Sequence, residues 1–450
     1  LHNKFFGESI KKQIMLYNTP ILKNVSVYPI ALVCLVLASC NLSRQIGRQA
    51  NQILFLDSAI GSGHIGISIF EPATGKYLYN HNAEHYFIPA SNTKLFTLYA
   101  GMKYLGDSLD GLKYLVGDSG TLIKPTGDPS FLHPDFKQQP VLDFLKGQKN
   151  IFRCPSQQIA PYGKGWAWDD FEEEFMVPLS EFPIYGNILH ATWMGKDSVE
   201  TSPTYFKHII ETHLPLPNSF SLSRNFGTNQ FYLNSGLDKS KSIPFYSDDI
   251  TLKQLLKDKL SPISMAESST PFPPAYNIIK SQPSDSLFKP MMHRSDNFFA
   301  EQALLMVSEK KLGLMSDDKI IELLLKTDLK DIPQKPKWVD GSGLSRYNLF
   351  TPQSMVFLLN KMKTEFDWER IKNILPTGGE GTLKNYYTRD AAFIYAKTGT
   401  LSNNCSLSGF LITKRNKVLV FSIMANNYIT GATPVRRAVE RFLSQIRDLN

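Results

Sequence analysis

The chain has 450 residues, 42% of them hydrophobic and 12% aromatic, with 49 Lys plus Arg against 41 Asp plus Glu. It is too long and too apolar for a disordered tail, and long enough for two or three domains with cores of their own. Four Cys in a chain of this size exclude a disulfide scaffold. The net charge of +8 favours anionic surroundings, whether nucleic acid, membrane phospholipid or an acidic polymer, without choosing among them.

In chain order, the first signal is an almost unbroken apolar run from Val25 to Ala38, preceded by Lys11, Lys12 and Lys23 and ending in Leu37-Ala38-Ser39-Cys40. The run is short for a membrane span and fits an export signal over residues 1–39. The tetrapeptide resembles the site at which bacterial lipoproteins are cleaved and lipidated, which predicts a lipid anchor on Cys40. An ordinary secretory signal or a short anchoring helix is the alternative.

Ser43 to Ala59 reads as a helix, with Ile46, Ala50, Ile53 and Leu54 at helical spacing. His64 to Phe70 alternates as a strand, Glu71 to Gly75 supplies a turn, and Lys76 to Tyr79 can return as the second arm of a hairpin. Near the other end, Phe393 to Lys397, Leu407 to Thr413 and Val418 to Met424 predict an antiparallel meander. A final helix follows, capped by Thr433, with Pro434 in its first turn and Val435, Ala438, Val439, Phe442, Leu443 and Ile446 on one face. Strands and helices from both chain ends suggest one domain closed by the termini, 40–118 with 276–450. Residues 119–275, rich in Pro and Gly, with short strands such as Gly120 to Lys124, read as an insertion. No fixed-period repeat appears, which sets solenoid architectures aside.

Three short patterns carry chemistry. Ser91 and Lys94 stand three apart at a strand-to-helix junction, so the lysine amine can reach the serine hydroxyl. Alone the spacing is weak, since Ser9/Lys12, Ser286/Lys289, Ser308/Lys311 and Ser316/Lys319 share it. Ser295-Asp296-Asn297 opens a later helix, where Ser or Asp could equally be a plain cap. Lys397-Thr398-Gly399-Thr400 ends an apolar strand, and its bland reading is a strand closing in a glycine turn.

Their order is what informs. Ser-x-x-Lys, Ser-Asp-Asn and Lys-Thr-Gly, in that sequence, are the signatures shared by penicillin-binding proteins and serine β-lactamases. Together with Asp340 to Asn348, Leu375 to Leu383, the Gly127-Asp128-Pro129 turn and Gly165 to Asp170, they make the chain resemble the D-alanyl-D-alanine carboxypeptidase/endopeptidase family, the class C low-molecular-mass penicillin-binding proteins, from about Ile65 to about Arg437. The resemblance implies an α+β fold, with a β-lactamase/transpeptidase-like catalytic domain of antiparallel sheet flanked by helices and a β-rich inserted domain. It implies acyl transfer to Ser91, with Lys94 as base, Ser295 relaying a proton, Asn297 orienting Lys94 and the substrate amide, and Lys397, Thr398 and Thr400 receiving the terminal carboxylate. Gly399 would let the substrate backbone lie close, and the amides of Ser91 and Thr400 would form the oxyanion hole. Peptidoglycan stem peptides ending in D-Ala-D-Ala are the implied substrates and β-lactams the implied covalent inhibitors. No metal, no organic cofactor and no nucleic acid is implied, and the implied location is the periplasmic side of a bacterial envelope. A serine β-lactamase and a non-catalytic wall-binding or sensor lipoprotein are the competing readings.

Some signals resist this scheme. His81-Asn82-Ala83-Glu84-His85 matches a zinc pattern but reads better as a loop, given Asn80, Asn82 and the nearby Pro89. Trp166 and Trp168 could stack on a sugar, although paired Trp beside Asp169 and Asp170 reads better as packing between domains. Cys154 and Cys405 remain after export, and the sequence leaves their pairing open.

Overall fold

The computed structural model describes residues 42–449, except 196, 214, 217 and 262–264. The expected export signal and Cys40 lie outside the described residues. Contacts divide the chain into a short unit ending at Gln45, of which residues 42–45 are described and helical, and a second unit from Ile46 onward, which holds everything below.

Strand β1 (His64–Glu71) forms the expected hairpin with β2 (Lys76–His81). Ile65, Ile67 and Ile69 are buried, and so is Ser68 between them, because both faces of the strand are covered. Helix α1 (Lys94–Tyr104) follows directly. The C-terminal strands β14 (Ile394–Leu401), β15 (Asn404–Ile412) and β16 (Val418–Asn426) form the expected meander, and β16 pairs with β1 from His64↔Asn426 to Phe70↔Val420. The sheet order β14-β15-β16-β1-β2 thus joins the two chain ends.

Alternating side chains serve the two faces of this sheet. Val420 and Met424 join the main core, whereas Ile423 and Ala425 face Val435 and Val439 of the terminal helix. That helix begins at Ala432 and runs to Leu449, so Thr433 lies within its first turn rather than ahead of it. The expected apolar stripe is buried, each large side chain contributing roughly 1.5–3 kcal/mol. The predicted helix over 43–59 is shorter: helical residues 46–50 pass into a π-type turn, Asn51–Phe55. Asp57 then bends the chain, accepting from the Ala59 amide at 2.9 Å and pairing with Arg441 at 2.8 Å.

A second region lies between α1 and the later helices. Its five-stranded sheet has the order β12-β5-β4-β3-β13, from β3 (Ser108–Gly117), β4 (Gly120–Pro125), β5 (Ile151–Arg153), β12 (Met265–Glu267) and β13 (Asn277–Pro283). The strands just outside 119–275, β3 and β13, therefore pair with each other at its edge. Two three-stranded sheets complete the region: β6 (Ile188–Gly195) between β7 (Ser198–Ser202) and β11 (Ser240–Pro244), and β10 (Phe231–Ser235) between β8 (Glu211–Thr212) and β9 (Phe220–Arg224). They share a core in which Phe206 meets Phe231 and Phe245, ring centroids 5.4 and 4.8 Å apart.

The two regions meet along one helix. After α2 (Pro140–Lys146), α3 (Asp249–Leu260) and α4 (Ser284–His293), helix α5 (Asn297–Leu312) is buried at every position from Phe298 to Glu309. Its Gln302 amide donates to the carbonyls of Gly127 and Ser180 at 2.7 and 2.9 Å, tying the Gly127-Asp128-Pro129 turn to the helix. Glu309 receives Lys113 of β3 at 2.6 Å and Lys124 of β4 at 3.2 Å. Burial pulls Lys113 down, but the hydrogen bond and charge of Glu309 outweigh it and leave its pKa raised. Removing one member of a buried pair strands the other charge. Glu309→Ala should therefore cost about 3–5 kcal/mol, read from the urea midpoint.

Candidate active site

Ser91 sits in a single 3₁₀ turn, Ala90–Thr93, whose last residue hands over to α1 at Lys94. Ala90 adopts φ +47°, an uncommon conformation for a residue with a Cβ. Three contacts hold the turn. The Thr93 hydroxyl donates to the Ala90 carbonyl at 2.9 Å, the Asn92 amide to the Lys397 carbonyl at 2.8 Å, and the Ser406 hydroxyl to the Pro89 carbonyl at 2.5 Å. Strand β14 therefore lies directly against the turn. A Cβ at Gly399 would stand 2.5 Å from the Pro89 carbonyl oxygen and 3.0 Å from the Asn92 nitrogen. At Gly399 the strand is thus packed closely against the turn that carries Ser91.

The second pattern resolves its ambiguity. Asp296 is the cap of α5, accepting from the Phe299 amide at 3.0 Å, and this frees Ser295, held at φ +62°, to face the cleft. Ser295 Oγ accepts from Lys397 Nζ at 2.8 Å, and the same amine donates to the Thr398 carbonyl at 2.7 Å. Asn297, the first residue of α5, donates through Nδ2 to the Phe175 carbonyl at 2.8 Å.

Lys94 is the meeting point. Its fully buried Nζ donates to Ser91 Oγ at 3.0 Å, Asn297 Oδ1 at 2.6 Å and the Ser342 carbonyl at 2.8 Å. Burial lowers its pKa to about 8, against the charges of Glu301, Asp340 and Asp296. Burial also pulls Lys397 well below its ordinary value, and the neighbouring Lys94 and Arg436 cations act in the same direction. One serine hydroxyl thus stands against an amine tuned to lose its proton near neutral pH, and a second serine stands against a second amine. Such an arrangement can take a proton from a nucleophile and return one to a leaving group.

The structure adds partners that residue patterns did not single out. Glu301, one helical turn after Asn297, accepts from the amides of Gly341 and Ser342 at 2.9 and 2.7 Å and so fixes the loop that supplies the Ser342 carbonyl. Burial, with the Asp340 carboxylate beside it, pushes Glu301 up to about 8. Gly343, at φ +83°, brings the same loop against the Ser91 turn, where a Cβ would stand 1.9 Å from the Ala90 carbonyl oxygen. The signal for Glu301 was available: an acidic residue inside an apolar helix, four places from Asn297 and so on its face. The Ser342 contact is a backbone carbonyl and leaves no mark in residue type.

The remaining candidates separate. Thr398 and Thr400, two apart on β14, share a face; Thr398 is buried, and Thr400 is exposed and accepts from Arg436. Trp166 donates to Asp340 Oδ2 at 3.0 Å, as packing would require, whereas Trp168 is 72% exposed and serves no packing role. His81 ends β2, and residues 82–84 turn away with Asn82 at φ +47°. Cys154 and Cys405 are both buried free thiols.

The model of the D-Ala-D-Ala carboxypeptidase 3 (S13) family matches residues 49–446, and the chain belongs to that family. The chain is 30% identical over 170 residues to carboxypeptidase DacB of Mycolicibacterium smegmatis, 35% of this chain and 37% of that protein. It is 29% identical over 164 residues to D-alanyl-D-alanine carboxypeptidase DacB of Haemophilus influenzae, 34% and 33% of the two chains. These alignments span about a third of each curated relative. Penicillin binding protein 4 (dacB) from Haemophilus influenzae has the same fold, with a TM-score of 0.71 at 19% identity over 90% of this chain and 99% of that one. A complex of that protein with a β-lactam superposes with a TM-score of 0.68, also at 19% identity, over 88% and 99%. The expected α+β, β-lactamase/transpeptidase-like architecture with an additional β-rich region is therefore the fold of this chain.

Replacing Glu301 by Ala would leave two buried amides without an acceptor, at about 1–3 kcal/mol each. A loss of about 2–5 kcal/mol in urea unfolding is expected for Glu301→Ala.

Proposed function

We propose that the protein is a serine-type D-alanyl-D-alanine peptidase that acts on peptidoglycan stem peptides through an acyl-enzyme on Ser91. One observation carries this reading: a buried, pKa-lowered Lys94 amine that joins Ser91, Asn297 and the Ser342 carbonyl in one cluster. Membership of the D-Ala-D-Ala carboxypeptidase 3 (S13) family supports it.

Neutral Lys94 takes the Ser91 proton as Oγ attacks the carbonyl of the penultimate D-Ala. The charge developing on that oxygen falls to the backbone amides of Ser91 and Thr400, a contribution of roughly 10²–10³ in rate per donor in comparable sites. Ser295 passes a proton to the leaving D-Ala nitrogen, the C–N bond breaks, and water later hydrolyses the ester. Asn297 holds Lys94 and the substrate amide. Lys397 and Thr400, with Thr398 beside it, take the terminal carboxylate. Cleavage of cross-links as well as of terminal D-Ala, export to the bacterial envelope, and a lipid anchor at Cys40 complete the proposal. Among the described residues no helix is long and apolar enough to cross a membrane.

Labelled penicillin should attach covalently to the wild type as a lasting adduct and fail to attach to Ser91→Ala; attachment to the variant sinks the assignment of Ser91. The acylation rate should follow the neutral fraction of Lys94. It should rise about tenfold per pH unit below 8 and level off above. A rate that is flat between pH 6 and 8 would remove Lys94 as the base. Given monomeric pentapeptide and cross-linked muropeptides together, the soluble form should release free D-alanine and also deplete dimers. D-alanine release without dimer loss would restrict it to carboxypeptidase action.

A further inference from the structure

The helix from Ala432 to Leu449 carries four arginines that are not equivalent. Arg437 pairs with Glu440, Arg441 with Asp57 and Arg447 with Asp390. Arg436 has no carboxylate partner among the described residues, and it is the arginine that reaches the Lys397-Thr398-Gly399-Thr400 strand.

Its Nη2 donates to Thr400 Oγ1, and its Nε is buried without an acceptor. The guanidinium stacks over Tyr386, 5.8 Å from the ring centroid, in the wall of a small cavity of about 20 Å³ shared with Thr398 and Cys405. A partly buried cation with an unpaired donor, held on the strand face that carries both threonines, lacks its anion. Burial, then Lys94, then Arg436 lower the Lys397 pKa, so Arg436 acts electrostatically on that amine as well as touching Thr400. A carboxylate beside Thr400 would supply the missing acceptor and, by its charge, offset the effect of Arg436 on Lys397.

We propose that Arg436 is a specificity-determining residue that receives the terminal carboxylate of the substrate together with Lys397 and Thr400, and so selects peptides with a free C-terminus over C-terminal amides. This rests on the reading of the strand as the carboxylate site, but the test needs no turnover. In a Ser91→Ala background, binding of an N-acylated D-Ala-D-Ala acid and of its carboxamide is compared by calorimetry, with Arg436 intact, Arg436→Ala or Arg436→Lys. Thermal midpoints confirm folding of each variant.

With Arg436 intact the acid should bind more tightly than the amide. That preference should fall about 10- to 100-fold in Arg436→Ala, the size of a charge-assisted hydrogen bond, and recover in part in Arg436→Lys. Binding of the amide should not change. A preference that survives Arg436→Ala, or equal binding of acid and amide by the parent, overturns the inference. Failure of the function reading itself shows separately, as wild type that labelled penicillin does not modify.

Discussion

Everything in the site depends on one amine being buried. Lys94 is the first residue of a helix enclosed in the main core, and a charged ammonium there lacks the water it would need. The structure meets this with three acceptors, Ser91 in the turn just before the helix and Asn297 and the Ser342 carbonyl from distant stretches of chain. Holding those acceptors in place accounts for much of the surrounding architecture. The Ser91 turn is pressed on by β14 and by the Gly343 loop, α5 delivers Asn297, and Glu301 anchors the loop that ends in Ser342. A lysine so placed has its pKa lowered to about 8, and the same packing that stabilises the fold thereby meets the requirement of the proposed base.

The sheet built from both chain ends makes this convergence possible. Pairing β1 with β16 sets the strand that precedes Ser91 and the strand that follows Lys397 in one layer, and the Asn92 contact to the Lys397 carbonyl closes the gap between them. The second region grows from the same scaffold at α5. Its links to that helix are polar and buried, at Gln302 and, two turns further on, at Glu309. Buried polar links fix register more strictly than apolar contact does, since a shift leaves donors unpaired. The helix that carries Asn297 and Glu301 is therefore indexed against both regions at once.

What could be read from sequence followed from how local each signal was. The meander and the hairpin rest on alternation within single segments, and the terminal helix on spacing within eighteen residues, so local reading sufficed. The Ser91, Ser295 and Lys397 patterns were legible because each is fixed by a turn or a helix start; the structure then brings all three to one cleft. Pairing of β3 with β13 was not legible, because it joins residues about 165 positions apart and no local pattern encodes a partner at that distance. The packing of Gly399 against the Pro89 carbonyl was not legible, since that carbonyl comes from another segment about 300 residues away in the chain. The Trp pair was read as one feature, yet the Asp340 hydrogen bond claims Trp166 and leaves Trp168 in solvent.

The two buried lysines show how one residue type takes two roles by environment alone. Lys94 has Glu301, Asp340 and Asp296 within electrostatic reach, and these temper the effect of burial, leaving it poised near 8. The charges that shift Lys397 are those of Lys94 and Arg436, and both reinforce burial. An amine surrounded by carboxylates can exchange a proton without help, whereas an amine surrounded by cations is completed only by an anion from outside. A substrate carboxylate arriving at Lys397 would therefore favour its charged form and draw a positive charge to the far end of the cleft. In the proposed mechanism the charge that Lys397 gains is balanced by the carboxylate it meets, so the pair adds little net field at Lys94 and that amine keeps the poise set by burial and its own carboxylate neighbours.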